Sequence, residues 1–322
     1  MKWNGLKLTA VVGLSLLATP ALATGPVCPN RVVPLPSLPL PHHAQTVTYE
    51  TVITSSGDPA LVTAPKVPAI YKLLGVRFPA VVVLQGGSVM HTDYSQFAER
   101  LARHGYVVIV PNHIIEFGGQ VGPFTNVRVI DQAFEFVKEE SAIPGSPIQG
   151  LVDGNKLAVV GHSLGGATTL QAVGGQCLAP LCFGTYTPPA ELRAVAVYGG
   201  NMRNRPPATG FIDVDNVAPT AMIHGSEDAI ATIADARSTF ALLEESKSFF
   251  RVNGTNHYGI NNANNVGGQP DVTPSMPQSQ GIAAITDTTA LYFDLNVKGG
   301  GFLDPLTDCF TGTADGKVTF EQ

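Results

Sequence analysis

The chain has 322 residues, 44% of them hydrophobic and 14% charged, with 19 Lys and Arg against 25 Asp and Glu. The apolar share supplies a sizeable core for one large α/β domain. The net charge of −6 argues against nucleic acid as a partner, because a phosphate backbone needs a basic surface.

At the N-terminus, Lys2 and Lys7 precede an apolar run over 8–17 and then Ala21-Leu22-Ala23. Positive, apolar, then small is the order of an export signal, so residues 1–23 are predicted to be a signal peptide and the protein to be secreted or periplasmic. The run is short for a bilayer and no later segment is long and apolar enough, so no stable membrane span is expected. Loss of Lys2 and Lys7 leaves 17 basic residues against 25 acidic ones, a charge of −8, and removes Trp3, the only tryptophan.

Residues 24–44 are proline-rich and read as an extended arm, and 45–54 alternate like an edge strand. Strands at 80–84, 106–110, 157–160, 194–198, 220–224 and 248–252 then alternate with helices at 93–104, 126–140, 166–173, 232–245 and 282–295. In the second of these helices Val127, Ile130, Phe134 and Val137 recur at helical spacing. The alternation predicts a mostly parallel central sheet covered by helices on both faces, with any site at the carboxyl ends of the strands. Residues 253–280, rich in Asn, Gly and Pro, read as a loop, and 311–320 as a small hairpin turning at Asp315-Gly316. No linker interrupts the pattern. Residues 24–322 are therefore expected to form one domain, with 24–44 as its arm and 298–322 as a C-terminal extension, acting as a monomer.

Cys177 and Cys182 flank Leu-Ala-Pro-Leu, a loop short enough to close as a disulfide, which leaves Cys28 and Cys309 to staple the two ends. Four cysteines allow three pairings, so this one is an expectation. There is no C-x-x-C, and neither His42-His43 nor His91-Thr92-Asp93 has the spacing of a metal site, so no metal and no cofactor are expected.

Gly161-His162-Ser163-Leu164-Gly165 spells G-x-S-x-G, with an apolar strand before it and a helix-forming stretch after it. Strand, sharp turn and helix is the setting in which such a serine is forced into a strained conformation and projected above the sheet. A serine hydroxyl needs a base, and histidine suits because its pKa lies near working pH. Of the eight histidines only His224 and His257 follow Ser163 at a useful distance. His224 ends a strand and reads as a packing residue. His257 follows the last predicted strand in a flexible loop and is the candidate base. The acid that would orient it is Asp228, on the turn after 220–224, with Glu227 and Asp235 as competitors. Two amides are needed to hold an oxyanion. The candidates are Leu164, directly after the serine, and Gly87 in the turn Gln85-Gly86-Gly87-Ser88, with Ser88 as alternative.

These residues resemble those of the α/β-hydrolase superfamily, closest to its secreted dienelactone-hydrolase-like, chlorophyllase-like and bacterial cutinase-like serine esterases. The similarity rests on 96–111, on 153–166 around the elbow, on Gly225-Ser226-Glu227-Asp228-Ala229-Ile230-Ala231 and on Asn256-His257. It implies an α/β-hydrolase fold, a Ser163, Asp228 and His257 triad and a small-molecule or lipid-like ester as substrate. Lipase, polyester hydrolase and acyltransferase activity share that triad, and a non-catalytic binding module is the remaining alternative. The family's polyester hydrolases place an aromatic residue where this chain has Gly87 and a tryptophan beside the site, which the mature chain lacks. Tyr198 and Tyr258 are expected to line the substrate pocket in their place, with Phe117 as a further candidate.

Overall fold

The computed structural model describes residues 33–35, 37–204, 208–244, 246–299 and 310–321. The expected signal peptide and the expected Cys28–Cys309 pairing fall outside them. In chain order the elements are β1 (Val33–Leu35), β2 (Thr46–Val52), β3 (Pro59–Pro65), the short helix α1 (Ala69–Leu73), β4 (Phe78–Leu84), α2 (Ser95–Arg103), β5 (Val107–Pro111), β6 (Ile114–Phe117), β7 (Gln120–Pro123) and α3 (Arg128–Ala142). They continue with β8 (Val152–His162), α4 (Leu164–Val173), β9 (Leu192–Tyr198), β10 (Thr220–Gly225), α5 (Ile233–Ala241), β11 (Lys247–Val252), α6 (Gln278–Asn296), β12 (Phe310–Thr313) and β13 (Val318–Glu321).

Eleven of the described strands form one sheet in the order β1-β12-β13-β11-β10-β9-β8-β4-β5-β3-β2. From β11 through β5 every neighbouring pair is parallel. Those strands are apolar on both sides because both sides are covered. In β4, Ala80, Val82 and Leu84 face one core while Val81 and Val83 face the other. The first core is closed by α3 and α4 through residues such as Ile130, Phe134, Val137 and Leu170. The second is closed by α2 and α6 through Phe97, Leu101, Ile285 and Phe293. In α2 the buried positions Phe97, Ala98, Leu101 and Ala102 make one stripe. α6 is buried nearly all round, and the hydroxyls of Thr286, Thr288 and Thr289 donate to carbonyls one turn back at 2.6–2.8 Å, so they enter the core satisfied.

The edges differ from the sequence expectation. β3 pairs antiparallel with β5 and β2. It has proline at both ends and is buried on both faces, so it carries no alternation to detect. Val33–Leu35 is not merely an extended arm. It pairs parallel with β12, and the C-terminal hairpin adds β13 antiparallel to β11. β6 and β7 form a separate hairpin, in a stretch to which the strand–helix alternation assigned no element. Cys177 and Cys182 are joined by a disulfide.

Candidate active site

β8 ends at His162 and α4 begins at Leu164, so the whole reversal falls on Ser163, with φ 54° and ψ −117°. A side chain at positive φ is strained and is held there by its surroundings. The Ser163 amide donates to the Tyr198 carbonyl at 2.9 Å, and its own carbonyl accepts from Ala167 at 3.0 Å. The turn is so tight that a Cβ on Gly161 would collide with the Gly165 carbonyl and the Thr169 hydroxyl, and one on Gly165 with the Leu84 carbonyl.

Asp228 stands three residues beyond β10, and His257 five residues beyond β11. They meet: His257 Nδ1 donates to Asp228 Oδ2 at 2.8 Å, both side chains being buried. That bond leaves Nε2 as the unprotonated ring nitrogen, the one able to take a proton. The other carboxylate oxygen accepts the amides of Ile230 (3.0 Å) and Ala231 (2.8 Å). Of the competing acids, Glu227 is engaged by the amide and hydroxyl of Ser275, and Asp235 pairs with Arg203. His224 donates from Nε2 to the Ala231 carbonyl at 2.6 Å and stands 3.5 Å from Asp228 Oδ2; burial lowers its pKa.

β10 and β11, which these groups follow, lie on one side of β8, with β9 between. Beside the Ser163–Tyr198 bond is Gly199, at φ 60°, where a Cβ would lie 3.1 Å from both Asp228 Oδ2 and His257 Nδ1. The His162 and His257 rings are 5.0 Å apart, centre to centre. Among the described residues the Ser163 hydroxyl makes no hydrogen bond, with the His257 ring or elsewhere. Serine–imidazole contacts often tighten only once substrate is bound.

Two supports of the site were not visible in the sequence. Asp271, in the loop before α6, accepts the His257 amide at 2.7 Å on one oxygen and the Ala229 amide at 3.1 Å on the other. One carboxylate thus pins both loops, and a lone Asp in an Asn- and Gly-rich stretch gives no local signal of it. The second support is a buried chain of hydrogen bonds. The Gly86 amide donates to Tyr94 Oη at 2.8 Å, and Tyr94 Oη contacts His162 Nδ1 at 2.8 Å. His162 Nε2 contacts the His257 carbonyl at 2.9 Å. A carbonyl only accepts, so Nε2 carries the proton and Nδ1 receives the tyrosine's. Burial, with the neighbouring His257, pushes the His162 pKa well below the ordinary value, so the ring stays neutral.

In the turn after β4, the Ser88 amide is taken by the Pro123 carbonyl at 2.9 Å. Ser88 is thereby removed as an alternative anion donor, whereas among the described residues the amides of Gly87 and Leu164 have no acceptor. The structure brings neither tyrosine to the surface of the crevice. Tyr198 is 1% exposed beneath the site and its hydroxyl donates to the Asn256 carbonyl at 2.5 Å. Tyr258 is 3% exposed and donates to the Gln269 carbonyl at 2.7 Å. Both hydroxyls tie down the loop that carries His257. Among the described residues no group of His, Cys, Asp and Glu has the arrangement of a metal site, and no helix is long and apolar enough to cross a membrane.

A PET hydrolase-like family model matches residues 72–180, the stretch that holds Gly87, Ser163 and Leu164. The chain is similar to the cutinase-like serine esterases. Cutinase 2 of Thermobifida cellulosilytica is 28% identical over 96 residues, 29% of this chain and 34% of that protein. Cutinase est1 of Thermobifida alba is 27% identical over 96 residues, 29% and 30% of the two chains, and a cutinase of Thermobifida fusca (strain YX) 28% over 96 residues, 29% and 28%. The chain thus spans about a third of the length of the curated relatives it matches. The match to the family model ends before Asp228 and His257, which lie in the loops after β10 and β11.

Proposed function

We propose that this chain is a serine hydrolase of carboxylic esters with an α/β-hydrolase fold. On this view residues 1–23 direct export and 24–322 act as one secreted, monomeric domain. Ser163 Oγ attacks the ester carbonyl carbon while its proton passes to His257 Nε2. Asp228 holds the ring and stabilises the imidazolium, and the amides of Leu164 and Gly87 receive the oxyanion. Collapse breaks the bond to the alcohol, which leaves with the proton from His257. Water then repeats the sequence on the acyl-Ser163 and releases the acid.

The observation that carries this is a serine at positive φ on a strand-to-helix turn, beside an Asp228–His257 pair whose free ring nitrogen is Nε2. The similarity to cutinases supports esters with apolar surroundings, polyesters among them. A fluorophosphonate probe should label the wild-type protein at Ser163, and Ser163→Ala should lose both labelling and hydrolysis of p-nitrophenyl esters. Activity retained by that variant sinks the assignment.

A further inference from the structure

The β6–β7 hairpin plays no part in the chemistry above, yet it closes on the same turn. Its register pairs Ile115 with Gly122 and Phe117 with Gln120. Cross-strand partners share a face, so Ile115, Phe117 and Gly122 look to one side, and Glu116 with its partner Val121 to the other. Phe124 follows β7 and folds under the first face. Its ring is 5.1 Å from that of Phe117, and a Cβ on Gly122 would lie 3.3 Å from it. On its far side the same ring stands 3.5 Å from where a Cβ on Gly87 would be, and Leu164 Cδ2 stands 3.5 Å from that point too. Phe124 and the first residue of α4 therefore flank the proposed oxyanion turn, and Ile115 and Phe117 extend the apolar surface outward. The hairpin is moored to the turn. Pro123 accepts the Ser88 amide, and the His113 carbonyl accepts the Phe124 amide at 3.0 Å and Gln85 Nε2 at 3.2 Å. The His113 ring is itself gripped by Asp58 at 2.9 Å and Asn126 at 3.0 Å.

The strand order says which half of an ester would lie there. Ser163 tops β8. His257 and Asp228 follow β11 and β10 on one flank of it, and the Gly87 turn and the hairpin follow β4 and β5 on the other. The departing alcohol must face the imidazole that protonates it. With the carbonyl oxygen held by the Gly87 and Leu164 amides, the flank left open to the acyl group is the opposite one, past that turn. We propose that Ile115 and Phe117, backed by the buried ring of Phe124, bind the apolar acyl chain of the ester, so that the enzyme favours medium-length aliphatic acyl groups over acetyl. This rests on the serine-esterase reading and names the substrate side of that same site.

The test compares p-nitrophenyl acetate with p-nitrophenyl decanoate, which share a leaving group, in the wild type, Phe117→Ala and Ile115→Ala. Phe117 and Ile115 are only half-buried, and hydrolysis of the acetate checks that each variant is folded. The expected result is a fall in kcat/KM for the decanoate of roughly tenfold in Phe117→Ala and roughly threefold in Ile115→Ala, with the acetate within about twofold of wild type. Decyl acetate, long on its alcohol side, should respond as the short ester does. Equal losses on both p-nitrophenyl esters, or a loss confined to decyl acetate, overturn the acyl assignment. If the wild type hydrolyses all three esters and the variants change nothing, the hairpin's role falls and the esterase reading stands. If the wild type neither hydrolyses them nor takes up a fluorophosphonate, both fall together.

Discussion

Tyr94 and His162 share a buried hydrogen bond of 2.8 Å that joins the turn after β4 to the elbow, and through His162 Nε2 to the backbone of His257. Three segments of the site, distant in sequence, are thereby held in one register. Tyr94→Phe strips the acceptor from the Gly86 amide and the donor from His162 Nδ1, leaving two buried polar groups unpaired. The expected cost is about 2 kcal/mol of stability in urea unfolding. In steady-state assays on p-nitrophenyl acetate kcat should fall roughly tenfold with KM little changed, because the donors and the base shift relative to one another. An unchanged kcat would show that the relay only packs.

Burial lowers the pKa of His162 and of His224. The unfolded chain then binds protons at these sites before the folded one does, so stability is fully present above about pH 6.5 and declines as pH falls through and below it. Asp131 acts in the opposite sense, since burial raises its carboxyl to about 6 and the folded chain there takes up the proton first. The net expectation is a lower urea midpoint at pH 5.5 than at pH 7.5. His224→Gln keeps a donor for the Ala231 carbonyl and removes one titrating ring, so its midpoint should depend less on pH. An equally steep dependence would clear His224 of any part in it.

Asp271 accepts amides from both the loop that carries Asp228 and the loop that carries His257. Asparagine at that position can accept on one oxygen only and turns an NH2 toward the second amide. Asp271→Asn should lower kcat about tenfold to a hundredfold, leave KM within about twofold, and slow fluorophosphonate labelling of Ser163 in proportion. A variant that changes KM alone would place Asp271 in substrate binding.

Gly199 has φ 60°, and a Cβ there would press on the Asp228–His257 hydrogen bond. Gly199→Ala should cost about 1 kcal/mol of stability from the backbone conformation. Its rate loss should be far larger, on the order of a hundredfold, because the imidazole is displaced. Thermal unfolding measured beside kcat on the same preparation separates the two, and a rate loss no greater than the stability loss explains would contradict this placement.

The parallel core was legible because continuous apolar strands alternating with helices have few other ways to bury both kinds of element. The elbow was legible because its cause is local: Gly161 and Gly165 are required by contacts within one strand–turn–helix. Asp228 and His257 could be picked out only as polar residues following strands, and Glu227 remained a competitor until its carboxylate was found engaged by Ser275. β3 escaped because burial on both faces erases alternation, and the β6–β7 hairpin because four-residue strands around Gly118-Gly119 look like a turn. Tyr198 and Tyr258 have the look of pocket residues in the sequence, which shows an aromatic ring near the site without the direction in which it points.

The periodicity of strand and helix, and the glycines of a tight reversal, arise between neighbours along the chain and are written in the residues themselves. The links from Tyr94 to His162, from Asp271 to His257 and from the aromatic face of the hairpin to Gly87 are set by which strand ends the sheet order brings together. Each of those contacts was decided by tertiary packing, because a hydrogen bond or a ring contact between residues 14 to 68 positions apart leaves no periodic pattern in the chain.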